Sequence, residues 1–185
     1  MTQEITKLTV KPRIYVASLS DYNAGLLHGK WIDADQDAEA IHAAIAAMLA
    51  GSKEPIAEEW AIHDYEGFGG LSLGEYESIE TVAEVALLLA EHGGMFGALV
   101  EHFGGLSDLD EAKRCIESGY HGTFESIEDY VCDFVEDCYG DSLKGLPDFI
   151  RHHLDYEGMA RDMEISGDIF TVEYQGEVHI FSSNF

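Results

Sequence analysis

The sequence predicts an α+β fold, and three observations carry that prediction. Short, alternating, β-rich stretches sit towards both ends of the chain. The middle is divided by paired glycines into segments of helical periodicity. The composition is 46% apolar, with 9 Phe, 9 Tyr and 2 Trp, which is enough apolar material to bury a core despite very high acidity. At 185 residues the chain can hold one domain or a few very small ones.

The elements follow in order. Met1 to Pro12 reads as a loose arm that carries Lys7 and Lys11. Arg13–Ser18 alternates and reads as a strand. Ser20–Gly25 holds turn formers and reads as a loop. Leu26–Asp33 reads as a second strand, with Gly29 as a bulge or a point of close approach. Asp33, Asp35 and Asp37 invite a calcium loop, but Ala38 and Ala44 stand where that loop needs Gly and Glu. They suit a helix N-terminus better, where the macrodipole favours acids. The helix runs from about Gln36 to Ala50, with Ile41, Ala44, Ile45, Met48 and Leu49 on its apolar face. Glu58–Glu66 reads as a third strand, with Trp31, Trp60 and Tyr65 as core residues of this sheet. Gly67–Gly70 is a flexible break.

Ser78 caps a mostly buried helix to Glu91. A short helix covers Met95–Phe103, and Ser107 caps another over Asp108–Glu117. Residues 76–117 therefore read as a small helical bundle. From Ile127 to Cys138 the residues Ile127, Tyr130, Val131, Phe134, Val135 and Cys138 form one apolar stripe. Pro147 starts a helix over Asp148–Leu154, and a further helix covers Tyr156–Met163. Asp168–Tyr174 and Glu177–Ser182 alternate about Gln175–Gly176, a hairpin turn.

The charge pattern carries the functional reading. The formal charge is -26, from 36 acids against 10 Lys plus Arg. Glu54 to Glu111 contains no lysine or arginine, yet holds Glu75, Glu77, Glu80, Glu84, Glu91, Glu101, Asp108, Asp110 and Glu111 among its acids. Cys115 to Leu143 is also base-free. There Glu125, Asp129, Asp133, Asp137 and Asp141 recur four apart, with Glu128 and Glu136 beside them. Like charges at that spacing destabilise a helix by roughly 0.2–0.5 kcal/mol per pair. Their rungs are about 6 Å apart along the axis, a row closer to phosphates than to a surface tuned for stability. Such a chain repels nucleic acid and anionic membranes and attracts basic grooves. It presents a surface that a DNA-binding protein takes for DNA, and these carboxylates are the candidate partner-binding residues.

Other classes fit less well. Paired carboxylates could serve a glycosidase, but no pair is marked out, and P-loop, HExxH and GxSxG motifs are absent. No catalytic residue, metal site or cofactor is expected. The nine histidines lack zinc spacing with Cys115, Cys132 and Cys138. An odd cysteine count favours a reducing compartment. The first 13 residues hold no apolar signal region, and no apolar run is long enough to span a bilayer. A cytoplasmic protein is expected. Halophilic adaptation is a further rival and predicts unfolding at low salt.

Three segments together resemble the plasmid- and transposon-borne antirestriction proteins called ArdA. The first runs from Tyr15-Val16 through Tyr22-Asn23-Ala24-Gly25 to Gly29-Lys30-Trp31. The second is Asp64-Tyr65-Glu66-Gly67-Phe68. The third is Leu154-Asp155-Tyr156-Glu157 with Ala160-Arg161-Asp162. The resemblance implies an elongated α+β chain of three small domains, here 13–70, 71–106 and 107–185, dimerising through the last. It implies mimicry of bent B-form DNA and occupation of the DNA-binding groove of type I restriction–modification enzymes. The family's antirestriction motif falls near the helix from Glu125 to Gly140, close to the dimer contact. Tyr130, Val131 and Phe134 pack either inside their own domain or across the dimer. The arm and the Ala-rich helix Ala38–Ala50 depart from the family pattern. A homodimer doubles the charge to -52, equivalent to the phosphates of roughly 90 Å, or about 26 base pairs, of duplex. A mimic directed at another DNA-binding protein, such as a nucleoid protein, a methyltransferase or another defence nuclease, is the alternative.

Overall fold

The structure is a computed structural model and describes residues 10–185. The arm expected over Met1 to Pro12, with Lys7, lies largely outside the described residues. Its described end is tied down: Ala34 N–H donates to the Pro12 carbonyl at 2.9 Å. The fold is α+β, with two three-stranded antiparallel sheets and eight helices among the described residues. The chain divides into two compact units, one reaching Leu109 and one running from Asp110 to Phe185.

In the first unit, β1 (Arg13–Ser18) is the central strand, flanked by β2 (Gly29–Asp33) and β3 (Trp60–Glu66). Ile14 and Val16 alternate into the core, and a bulge lies between Tyr15 and Val16 opposite β3. Gly29 is a point of close approach, as expected. A Cβ there would sit 2.7 Å from the Tyr15 ring and from the Val16 carbonyl. The segment expected as a loop contains a one-turn helix, α1 (Leu19–Asn23), started by the Ser18 hydroxyl. Leu26 to His28 lie outside the second strand. The Ala-rich helix is α2 (Ala38–Ala50), which buries Ile41, Ile45 and Met48 and packs on β1 and β2. Trp31, Trp60 and Tyr65 are half-buried rather than core residues, because they stand on the edge strands β2 and β3 and not on the central β1. The Arg13 guanidinium lies 4.6 Å from the Trp31 ring centroid.

The expected flexible break is a packed turn. Phe68 and Leu71 are buried. A Cβ on Gly69 would fall 2.6 Å from the Gly94 carbonyl, and one on Gly97 would fall 2.7 Å from that of Phe68. The turn thus rests on the start of α4 (Met95–His102), which follows α3 (Ile79–His92). Ser78 caps α3 as expected, its hydroxyl accepting from Thr81 N–H at 3.2 Å. Ser107 is not a cap: it lies inside a 3-10 turn, Leu106–Asp108, that leads into α5 (Leu109–Ser118).

The second unit contains a strand the sequence reading lacked, β4 (Tyr120–Phe124), at the edge of a sheet ordered β4-β6-β5. Its partners β5 (Ile169–Tyr174) and β6 (Glu177–Ser182) form the expected hairpin, with Gln175 and Gly176 at φ 52° and 86°. Two positive φ values are what the right-handed twist of the strands asks of a two-residue turn. α6 (Ile127–Lys144) and α8 (Tyr156–Ser166) pack on this sheet and on each other, with the single-turn helix α7 (Asp148–Arg151) between them in sequence.

Candidate functional site

α6 is built from both ends. The Ser126 hydroxyl accepts from Asp129 N–H at 3.1 Å and donates to its carboxylate at 2.7 Å. At the other end Lys144 pairs with Asp141 at 2.8 Å, close to the negative pole of the helix. Tyr130 and Val131 are buried with Ala160, Ile169 and Ile180, while Ile127, Phe134 and Val135 are partly buried against them. The apolar stripe therefore anchors one side of the helix to its own unit. Glu128, Asp129, Asp133, Glu136, Asp137 and Asp141 are all exposed.

These carboxylates are largely uncompensated. Among the described residues, Glu128, Asp133, Glu136 and Asp137 make no ion pair or side-chain hydrogen bond. From Glu128 to Asp141 the helix advances about 20 Å, giving one carboxylate per ~4 Å. One strand of DNA carries a phosphate every ~3.4 Å. The field is felt locally: the Cys132 thiol is pushed up, first by its burial and then by Glu136, Asp133, Asp129 and Glu128.

The other candidates lie mainly in the first unit. Glu80, Glu84 and Glu91 project from α3 and are exposed, as are Glu75, Glu101 and Asp108; Glu77 is half-buried. Several are fixed. Glu101 accepts from Ser72 N–H at 3.0 Å. Glu80 contacts His42 at 3.1 Å and is held below the usual carboxylate range by the backbone N–H at its own position, then by His42 and Ser78. On α5, Asp110 and Glu111 pair with Lys113 and Arg114. Glu125 is exposed just before α6. Four ion pairs in the second unit share one pattern, in which Lys113, Arg114, Lys144 and Arg151 each meet an acid three residues before them. Those four cations are thereby used locally.

The arrangement offers hydrogen-bond acceptors and negative potential. Among the described residues no group of three or more metal-ligating side chains comes together. The acidic cluster after β2 is closed by a lysine, with Lys11 Nζ 3.0 Å from Asp33 and 2.9 Å from Asp35. Burial pushes the Cys115 thiol up to about 12, where it is unreactive as a nucleophile. No helix among the described residues is long and apolar enough to cross a membrane.

Of the three residues considered for a dimer contact, Tyr130 and Val131 belong to the core of their own unit, and Phe134 lies at its edge. The sequence reading did not single out the apolar side chains that the structure leaves in water. Tyr139, Leu146, Phe149 and Ile150 are exposed between the end of α6 and α7, with Phe149 at 70%. Leu146, Phe149 and Ile150 around Pro147 were a usable signal, because a four-residue helix is too short to bury them.

Comparison with known proteins adds one finding. A family model described as Antirestriction protein (ArdA) matches residues 14–177. No curated protein matches the chain.

Proposed function

The chain belongs to the ArdA antirestriction family, whose partner is in general a restriction enzyme, and from that membership we propose that it acts as a DNA mimic. The carboxylates of α6, α3 and the turns around them occupy the DNA-binding groove of a type I restriction–modification enzyme in place of phosphates. The observation that carries this reading is the exposed, lysine-free row on α6, whose spacing is close to that of one DNA strand. The enzyme's lysines and arginines meet carboxylates, counterions are released as they are on DNA binding, and no bond is made or broken. Inhibition is then competitive and stoichiometric. The chain acts as a cytoplasmic homodimer, and the exposed apolar side chains around α7 supply the dimer contact, since grouped large apolar side chains left exposed mark an interface. The three segments 13–70, 71–106 and 107–185 each contribute to the charged surface.

The test is direct. A fluorescent duplex bound to a type I methyltransferase core is titrated with the protein at low salt. Release of the duplex at one dimer per DNA-binding site is expected. An enzyme that loses activity while still holding its duplex would refute the competition.

A further inference from the structure

We propose that a cleft in the first unit is a socket for an arginine side chain of the partner. The cleft has a volume of about 480 Å³ and is lined by Tyr22, Asn23, Glu59, His63, Glu75 and Tyr76 beside Leu19. Its walls come from α1, β3 with the residues just before it, and the turn ahead of α3. Backbone hydrogen bonds fix those walls to one another. Leu19 N–H donates to the Glu59 carbonyl at 3.0 Å, and Ile62 N–H donates to the Glu75 carbonyl at 2.9 Å. The Tyr22 ring meets the His63 ring edge-on, with centroids 5.0 Å apart.

The chemistry points to one occupant. Tyr22 is 58% exposed and Tyr76 73%, so two large, mostly exposed rings line the same cleft as two carboxylates. Neither the Glu59 nor the Glu75 side chain has a hydrogen bond or ion pair among the described residues. A lure made only of charge has no use for exposed tyrosines. A guanidinium uses both features: its plane stacks on an aromatic face, and its forked N–H donors meet a carboxylate. Among the described residues no lysine or arginine lines the cleft, so the cation is taken to come from outside. Tyr76 also lines a second, smaller cleft of about 260 Å³ with Trp60 and Glu77, so its ring serves two neighbouring recesses. The source of the arginine rests on the proposed function, because a DNA-binding groove presents arginines to phosphates and bases. The socket would give the mimic a shape-dependent contact that distributed charge lacks.

The socket is tested on the full chain by NMR titration with N-acetyl-arginine amide, using N-acetyl-alanine amide as the control. Saturable shifts at Tyr22, His63 and Tyr76, lost in Tyr76→Ala, are expected. In duplex displacement Tyr76→Ala weakens the protein about tenfold and Tyr76→Phe restores it, since the ring is what stacks. The salt dependence is the same in both variants, because no charge is removed. Absence of shifts, or shifts of equal size over all the acidic faces, would overturn the socket. So would a folded Tyr76→Ala variant that displaces duplex as well as the parent does. Localised arginine binding by a parent protein that displaces no duplex supports the socket and counts against the proposed function instead.

Discussion

His179 is 3% exposed in the central strand of the second sheet. Its Nδ1 lies 2.9 Å from the Tyr120 hydroxyl, while Nε2 has no partner. Burial lowers its pKa, against a smaller upward pull from Glu177; burial alone lowers that of His121. A folded pKa below the unfolded one means that the unfolded chain binds more protons. The stability from neutral His179 is therefore fully present above the ordinary histidine value of ~6.5, and is lost as the pH falls through the folded value. Urea midpoints between pH 7.5 and 5.5 should fall, and His179→Leu should flatten that fall. Gln175 gives a second prediction. Its φ of 52° is one that Asn tolerates better than Gln. Gln175→Asn should raise stability by about 0.5 kcal/mol, read from chemical denaturation. At this scale the sequence was legible where a residue acts through its own backbone. Gln175–Gly176, Ser78 and Gly29 all do what their types require. Ser107 misled because a capping residue is equally at home in a 3-10 turn. Trp31, Trp60 and Tyr65 misled because size and apolarity do not say how much of a sheet face is covered.

α6 joins two requirements on one helix, a buried stripe and a charged row. Removing its N-cap with Ser126→Ala should cost about 1 kcal/mol. Replacing Asp133 and Asp137 with Asn should instead stabilise the fold by a few tenths of a kcal/mol per relieved repulsion while weakening inhibition. The same replacement, made in a Cys138→Ser background, should speed alkylation of Cys132, because Asp133 is one of the carboxylates that push its thiol up. An unchanged alkylation rate would mean that Asp133 has no hold on that thiol. The periodicity that revealed α6 ran only to Cys138. The helix continues across Gly140, a costly residue mid-helix, and ends only at Lys144. β4 escaped the reading because Tyr120–Phe124 is five residues long and includes Gly122. Its identity as a strand comes from pairing with β6, some sixty positions away in sequence, which no local pattern contains.

The whole molecule is set by charge, and two effects of salt separate its functional cost from its functional use. Self-repulsion at -26 is screened by added salt, so folding stability should rise with ionic strength. Binding to a basic groove should fall over the same range. The acidity was legible from composition, and the uncompensated face of α6 from spacing. The close packing of the Gly67–Gly70 turn and the Tyr22–Tyr76 cleft were not, because each is made by segments far apart in the chain. Since the charge is distributed, any one of the α6 acids changed to its amide should alter affinity by less than about threefold. The proposed reading of this protein as DNA is tested by the slope of log affinity against log salt for its complex with the enzyme core. Mimicry predicts a slope about as steep as that of the enzyme's own duplex, made shallower as the α6 carboxylates are neutralised together. A tight complex with a flat slope, unchanged when the α6 row is converted to amides, would contradict it.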